Sequence, residues 1–148
     1  MLTEIITTAL FILHYVKFGF GIEFLIFGTL AVALMIMIVA DFETYIIPDT
    51  SIVLMIIGAV GYRYFYELSW IDMAIGAAMG LFISLGLQWI FKKILKKDAL
   101  GFGDVKFMAV AGMWLGFFPM PFFFIIGGLL GVMTGIVWQN IFKKEMFP

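Results

Sequence analysis

The chain has 148 residues, of which 64% are hydrophobic and only 13% charged, whereas roughly a quarter are charged in an ordinary soluble domain. Together with a mean hydropathy of +1.15, this composition excludes a soluble globular protein and indicates an all-α, polytopic protein of the lipid bilayer. The formal net charge of −1 provides no overall basic field, so we expect no nucleic-acid partner.

Apolar segments along the chain predict six membrane-spanning helices. If each span takes about 20 residues, six spans leave no room for a soluble domain, and residues 1–148 form one membrane domain. The first five spans are expected at residues 5–21, 24–40, 50–65, 71–91 and 104–118. The uncharged stretch 107–142 is too long for one span, so Pro119 and Pro121 are expected to separate the fifth helix from a sixth that ends at Phe142.

The positions of the basic residues predict the orientation of these helices. Seven of the nine flank the fourth-to-fifth connection or follow the sixth span: Lys92, Lys93, Lys96, Lys97, Lys106, Lys143 and Lys144. Basic loops are retained in the cytoplasm. The chain is therefore predicted to lie in the inner membrane, with both termini and the loops DFETYIIPD and GFGD on the cytoplasmic side. Lys17 and Arg63 are expected on the opposite face.

Two acidic residues at the ends of apolar helices are the first functional candidates, because a carboxylate there is costly unless it is hydrated or partnered. Asp41 is predicted to end the second span, and Asp104 is predicted to begin the short fifth helix after Gly101 and Gly103. The glycines are expected to allow unusual backbone conformations and to leave room for a substrate strand. Taken singly, each Asp can also be interpreted as a helix cap or a solvated boundary residue.

A pair of close carboxylates can perform hydrolysis by itself. Such a pair shares one proton, so the ionised Asp takes a proton from water while its neutral partner polarises a carbonyl. This chemistry needs no metal and no cofactor, and it suits a chain with no cysteine and one histidine.

The stretch ADFETYIIPDTSI, followed much later by GFGDVKFMAVAGMWLG, resembles the catalytic membrane domain of type IV prepilin peptidases, which include preflagellin peptidases. The resemblance covers residues 24–142. It implies that Asp41 and Asp104 are the catalytic pair of an aspartic endopeptidase and that Gly101 and Gly103 are motif glycines. It also implies that the substrate is a type IV prepilin-like precursor, whose basic leader is cut off at the cytoplasmic face just before a hydrophobic helix.

Four further residues near these motifs are candidates for substrate binding or structural support. Lys106 is either an electrostatic neighbour of the pair or, more simply, a cytoplasmic anchor. Asp49 follows Pro48 at the start of the third span and is predicted to be an N-cap. Glu43 is either a leader-binding residue or a solvated charge.

Several alternatives follow from the same sequence. Many bacterial members of the family carry an N-terminal cytoplasmic domain associated with methyl transfer, so for this chain we expect leader cleavage without methylation. A second enzymatic interpretation is a GxGD intramembrane protease with other membrane-protein substrates, and a third is a non-enzymatic small transporter or assembly subunit. Small residues at four-residue spacing, such as Gly76 with Gly80 and Gly112 with Gly116, predict close helix packing within the bundle, with a homo-oligomer interface as the alternative.

Overall fold

The structure, a computed structural model, describes residues 2–95 and 101–142. These residues form six α-helices, and the described part of the chain contains no strand. The helices are α1 (Leu2–Phe18), α2 (Ile22–Thr44), α3 (Asp49–Phe65), α4 (Trp70–Leu95), α5 (Phe102–Leu115) and α6 (Met120–Phe142). The predicted all-α class is therefore confirmed for the described residues.

Helix α2 extends further than the sequence predicted. Asp41 lies in its last turn instead of ending it, because a charge that can reach solvent does not break a helix. The helix ends at Thr44, and its C-cap residue Tyr45 has a left-handed backbone (φ 56°) and an N–H that donates to the Asp41 carbonyl oxygen at 3.0 Å. Pro48 follows and cannot continue the helix.

Other helix ends also differ from the predicted boundaries. Helix α1 ends before Gly19, which has φ +63°, and α5 ends before Gly116, which has φ +81°, so a glycine with a positive φ follows each helix. Helix α4 runs to Leu95 and holds Lys92 and Lys93 in its last turn, where cations interact favourably with the helix dipole.

The helices contact one another in the order α1, α2, α3, α5, α4, α6. Helices α4 and α5 approach most closely, because a Cβ atom on Gly76 or Gly112 would collide with the backbone of the other. The predicted close packing of helices within the bundle is confirmed for α4 and α5. The buried apolar core joins α2, α3 and α5 through Ala33, Ile52, Met55 and Val110.

At one end of the bundle, Arg63 of α3 binds residues of α4 and α5. Charged residues are usually exposed, but only 3% of Arg63 is exposed. Its guanidinium donates to Asp72 at 3.0 Å and to the carbonyl oxygens of Met113 and Trp114, and Asp72 accepts the Phe117 N–H at 2.9 Å. The orphan carbonyls at the end of α5 are thereby satisfied, which explains why a charge is buried here.

Three of the described helices are long and apolar enough to cross a membrane, namely Ile22–Thr44, Trp70–Ile94 and Met120–Val137. The chain is therefore a membrane protein by the length and composition of these helices. Helices α1 and α3 have 17 residues each and α5 has 14, so at 1.5 Å per residue they measure about 26 and 21 Å. Lys96, Lys97, Lys143, Lys144 and the C-terminus lie outside the described residues.

Candidate active site

Helix α5 begins directly at the GFGD motif, and its first turn holds Asp104. The Gly101 N–H donates to Asp104 Oδ2 at 3.1 Å, while the Asp104 N–H donates back to the Gly101 carbonyl oxygen at 3.1 Å. This reciprocal pair fixes the carboxylate at the helix start. Asp104 lies outside the three long apolar helices.

Neither motif glycine has an unusual backbone angle, which corrects the prediction, and Gly103 is the one required for space. Gly101 has φ −68°, and the positive-φ glycines among the described residues are Gly19 and Gly116. A Cβ atom on Gly103 would lie 3.0 Å from the Cβ of Ile47, and one on Gly101 would lie 3.3 Å from Asp104 Oδ2. Glycine at position 103 therefore lets the start of α5 lie against the loop that precedes α3.

Asp41 and Asp104 face a common cavity at the end of the bundle. The cavity has a volume of about 340 Å³, and the two residues are 63 positions apart in the sequence (104 minus 41). The other lining residues belong to the two motif loops and the helix ends next to them: Tyr45, Ile46, Ile47, Asp49, Gly101, Phe102, Gly103 and Lys106. The structure thus places the two predicted catalytic carboxylates in one polar space between α2, α3 and α5.

The environment of Asp104 in this cavity alters its pKa. Burial raises the pKa of Asp104 above its ordinary value, the Gly101 N–H opposes that rise, and the negative charge of Asp41 adds to it. Asp41 itself is exposed. The surroundings therefore favour the protonated form of Asp104 more than those of an ordinary Asp do.

Lys106 and Asp49 connect the starts of α5 and α3. The Lys106 Nζ donates to Asp49 Oδ1 at 2.6 Å and lies 5.4 Å from the centroid of the Phe102 ring. The predicted N-cap role of Asp49 is wrong, since Pro48 occupies the N-cap position and Asp49 is the first helical residue, with its carboxylate turned to Lys106. The hydroxyl of Ser51 donates to the Pro48 carbonyl oxygen at 2.7 Å and stabilises this helix start.

Two of the candidate residues do not line the cavity. Pro48 acts through the backbone, as the residue that precedes α3. Glu43 lies two residues after Asp41 in a helix, so its side chain projects from nearly the opposite side of α2. The structure therefore separates Glu43 from the site that holds Asp41 and Asp104.

Sequence reasoning missed several residues that shape the cavity. Tyr45, Ile46 and Phe102 are exposed apolar residues at its rim, and Ile47 is the side chain against which Gly103 fits. These residues lie close to the two Asp residues in the sequence, and that closeness was the available signal. Apolar residues are common throughout this chain, so their presence there did not distinguish them. No group of three His, Asp or Glu side chains suited to a metal ion occurs in residues 2–95 and 101–142.

Comparison with known proteins identifies the family. Residues 28–136 match the type IV leader peptidase family. The chain belongs to this family. The resemblance predicted from the two motifs is therefore confirmed at the family level.

This chain matches only part of the length of individual members of the type IV leader peptidase family. The prepilin leader peptidase/N-methyltransferase of Pectobacterium carotovorum subsp. carotovorum is 30% identical over 113 residues, which are 76% of this chain and 40% of the relative. The protein of the same description from Xanthomonas campestris pv. campestris is 30% identical over 142 residues, 93% of this chain and 48% of the relative. That of Pseudomonas aeruginosa is 27% identical over 139 residues, 88% of this chain and 46% of the relative. The chain thus spans less than half the length of these relatives, and no solved structure matches it.

Proposed function

We propose that this chain is an aspartic endopeptidase that removes the leader peptide of type IV prepilin-like precursors. The observation that carries the proposal is the shared cavity of Asp41 and Asp104, in a member of the type IV leader peptidase family. Its relatives are described as prepilin leader peptidase/N-methyltransferases, and the first part of that description supports the same substrate class for this chain.

In the proposed mechanism the two carboxyl groups have different roles, one as general base and the other as hydrogen-bond donor. Ionised Asp41 accepts a proton from a water molecule, which attacks the carbonyl carbon of the scissile peptide bond, while protonated Asp104 donates a hydrogen bond to the carbonyl oxygen. The C–N bond of the resulting tetrahedral intermediate then breaks as the proton held by Asp41 passes to the leaving amine nitrogen, which leaves a carboxylic acid and an amine. The elevated pKa of Asp104 supports giving it the protonated role.

The proposal also includes the arrangement of the chain in the inner membrane. All six helices cross it, both termini face the cytoplasm, and the short helix α5 sets Asp104 in a hydrated notch at the cytoplasmic face. The basic Lys92, Lys93 and Lys106 belong to this face, in line with the positive-inside rule. Methyl transfer is not included, and cleavage without methylation stays a prediction.

The test is cleavage of a purified prepilin followed by mass measurement of the product, which locates the cut and detects any added methyl group. Asp41→Asn and Asp104→Asn are each expected to lower kcat by about 10²- to 10⁴-fold, because each removes a group that exchanges a proton in the reaction. The proteins should still insert in the membrane and fold.

The matched control is Asp49→Asn, which changes a carboxylate in the same cavity that is paired with Lys106. It should lower kcat less than tenfold. Parent-like cleavage by either Asp41→Asn or Asp104→Asn would refute the catalytic assignment, and equal cutting of an unrelated single-span protein would refute the substrate class.

A further inference from the structure

Lys106 is the basic residue that the described part of the chain contributes to the cavity of Asp41 and Asp104. Its ammonium group ends a long and flexible stem, so it can move within this cavity. Next to Asp104, a positive charge would favour the ionised form of the carboxyl group. Next to Asp41, it would cancel the negative charge that helps to keep Asp104 protonated. The position of the Lys106 ammonium group therefore matters for the proposed reaction.

Asp49 binds this ammonium group. Lys106 Nζ donates to Asp49 Oδ1 at 2.6 Å, and the centroid of the Phe102 ring lies 5.4 Å from Nζ. Asp49 is the first residue of α3, whereas Lys106 lies in α5, two residues after Asp104. Two residues along a helix turn the side-chain direction by about 200°, so Lys106 and Asp104 leave α5 on nearly opposite sides. Bound to Asp49, the ammonium group is directed towards α3 and away from the Asp104 side chain.

The electrostatic surroundings of Asp104 agree with this arrangement. Among the described residues, its pKa is raised by burial and by the charge of Asp41 and lowered by the Gly101 N–H. Lys106 and Asp49 line the same cavity but are not among these influences. The lysine that is bound to Asp49 therefore leaves the proton of Asp104 undisturbed.

The charged and titratable groups around Asp104 come from each helix that packs near it. Those that line the cavity belong to α5, to α3 and to the end of α2: Asp41, Tyr45, Asp49, Asp104 and Lys106. Helix α4 carries Lys92 and Lys93 in its last turn, at the same end of the bundle but outside the cavity lining, and the sequence of α6 contains no charged residue. If Asp49 is neutral, Asp41 and Asp104 are thus the carboxyl groups that the described lining residues leave to attract Lys106.

We propose that Asp49 is a positioning residue that keeps Lys106 away from Asp41 and Asp104, an inference that rests on the proposed function. Asp49 exchanges no proton in the reaction and acts through Lys106. Without its carboxylate, the ammonium group is attracted to Asp41 or to Asp104. Either contact favours the ionised form of Asp104, so the protonated form that the mechanism requires is lost at a lower pH.

The pH dependence of prepilin cleavage tests this role. Asp49→Asn is expected to move the high-pH decline of kcat/KM to lower pH by about half a unit to one unit. The shift is modest because 39% of the Lys106 side chain and 77% of the Asp49 side chain are exposed, and solvent screens exposed charges. Above the decline, kcat/KM should therefore be about three- to tenfold below that of the parent. Below the decline, kcat should stay within tenfold of the parent value.

The double variant Asp49→Asn/Lys106→Met shows whether Lys106 causes the shift. With the ammonium group removed, the decline should return to the pH of the parent. Lys106→Met alone should leave the decline in place, because the bound lysine does not act on Asp104. Asp49→Glu keeps a carboxylate and should keep the parent profile, and so should Glu67→Gln, which removes a charge between α3 and α4 at the opposite end of the bundle.

Two results would overturn the role of Asp49. One is an unshifted decline for Asp49→Asn, and the other is a decline for the double variant that stays as low as that of Asp49→Asn. Asp49→Ser is measured in parallel and must show the same shift as Asp49→Asn, which separates the loss of charge from a local folding defect in one variant.

Infrared titration separates this inference from the proposed function, because it needs no substrate. The C=O stretch of protonated Asp104 is the band that Asp104→Asn lacks, and it should disappear at lower pH in Asp49→Asn but not in the double variant. If the parent does not cut a prepilin, the proposed function fails, and the infrared band alone decides whether Asp49 restrains Lys106. If the prepilin is cut but neither the cleavage profile nor the band shifts, the peptidase assignment stands and the role of Asp49 is refuted.

Discussion

The backbone N–H of Gly101 has a direct influence on the protonation of Asp104. It donates a hydrogen bond to the carboxylate at 3.1 Å and so lowers the pKa that burial and the charge of Asp41 raise. In the proposed mechanism Asp104 must be protonated. Cleavage should therefore decline as the pH rises through its elevated pKa, and the apparent constants of the profile belong to the pair.

Replacing Gly101 by proline tests this influence. The φ of Gly101 is −68°, which suits proline, and the substitution removes the N–H donor. Without the donor the ionised form of Asp104 loses a stabilising bond, so the high-pH decline of kcat/KM should move to higher pH. The measurement is kcat/KM for prepilin cleavage across the pH range.

Gly101→Ala is the control, because it keeps the N–H while adding a carbon that would lie 3.3 Å from Asp104 Oδ2. Its profile should stay close to that of the parent. If the decline for Gly101→Pro coincides with that for Gly101→Ala or lies at lower pH, the N–H of Gly101 does not control the proton on Asp104.

At the scale of elements, the contact between α4 and α5 determines where Asp104 is held. Gly76 and Gly112 let the two backbones touch, and Arg63 binds the end of α5 to α3 and α4. Apolar burial gives little drive for helix association in lipid, so close packing and internal hydrogen bonds must supply it. Helix α5 is thus fixed along its side and at the end opposite Asp104.

Gly112→Ala is predicted to destabilise the protein by separating α4 from α5. The added Cβ would collide with the carbonyl of Gly76, and overpacking of this kind costs about 1–3 kcal/mol. Thermal unfolding in detergent should show a decrease in Tm of about 3–10 °C. Gly86→Ala in α4 is the control, because nothing lies within 4 Å of its added Cβ. An equal decrease in Tm for both variants would contradict a specific effect of the contact between α4 and α5.

At the scale of the whole molecule, the site lies where the ends of α2, α3 and α5 meet. The proposed orientation places this end in the cytoplasm and the Arg63 end outside it. Glu67 connects α3 to α4 at the Arg63 end, while Lys92 lies in the last turn of α4 at the other. The two residues therefore report on opposite membrane faces.

Labelling of single cysteines tests this orientation in intact cells. A membrane-impermeant maleimide should react with Glu67→Cys from outside, and with Lys92→Cys only after the membrane is permeabilised. Both variants begin from a chain without cysteine, so each label has one target. Reaction in the reverse order would mean that the cavity of Asp41 and Asp104 faces away from the cytoplasm.

The amino-acid sequence by itself determined the helical class, the membrane environment and the two acidic motifs. Composition and apolar periodicity carry those properties locally, and the spacing around Asp41 and Asp104 indicated the family. The proline-marked break before α6 was likewise visible, because proline acts on its own turn of backbone.

Only the tertiary structure decided which side chains meet. It joined Asp41 and Asp104 in one cavity, turned Asp49 to Lys106, buried Arg63 and placed Glu43 on the other side of α2. These relations depend on how helices distant in sequence pack and on small differences in where each helix ends. One residue changes the direction of a helical side chain by about 100°, so a boundary predicted to within a few residues cannot say which way a carboxylate points.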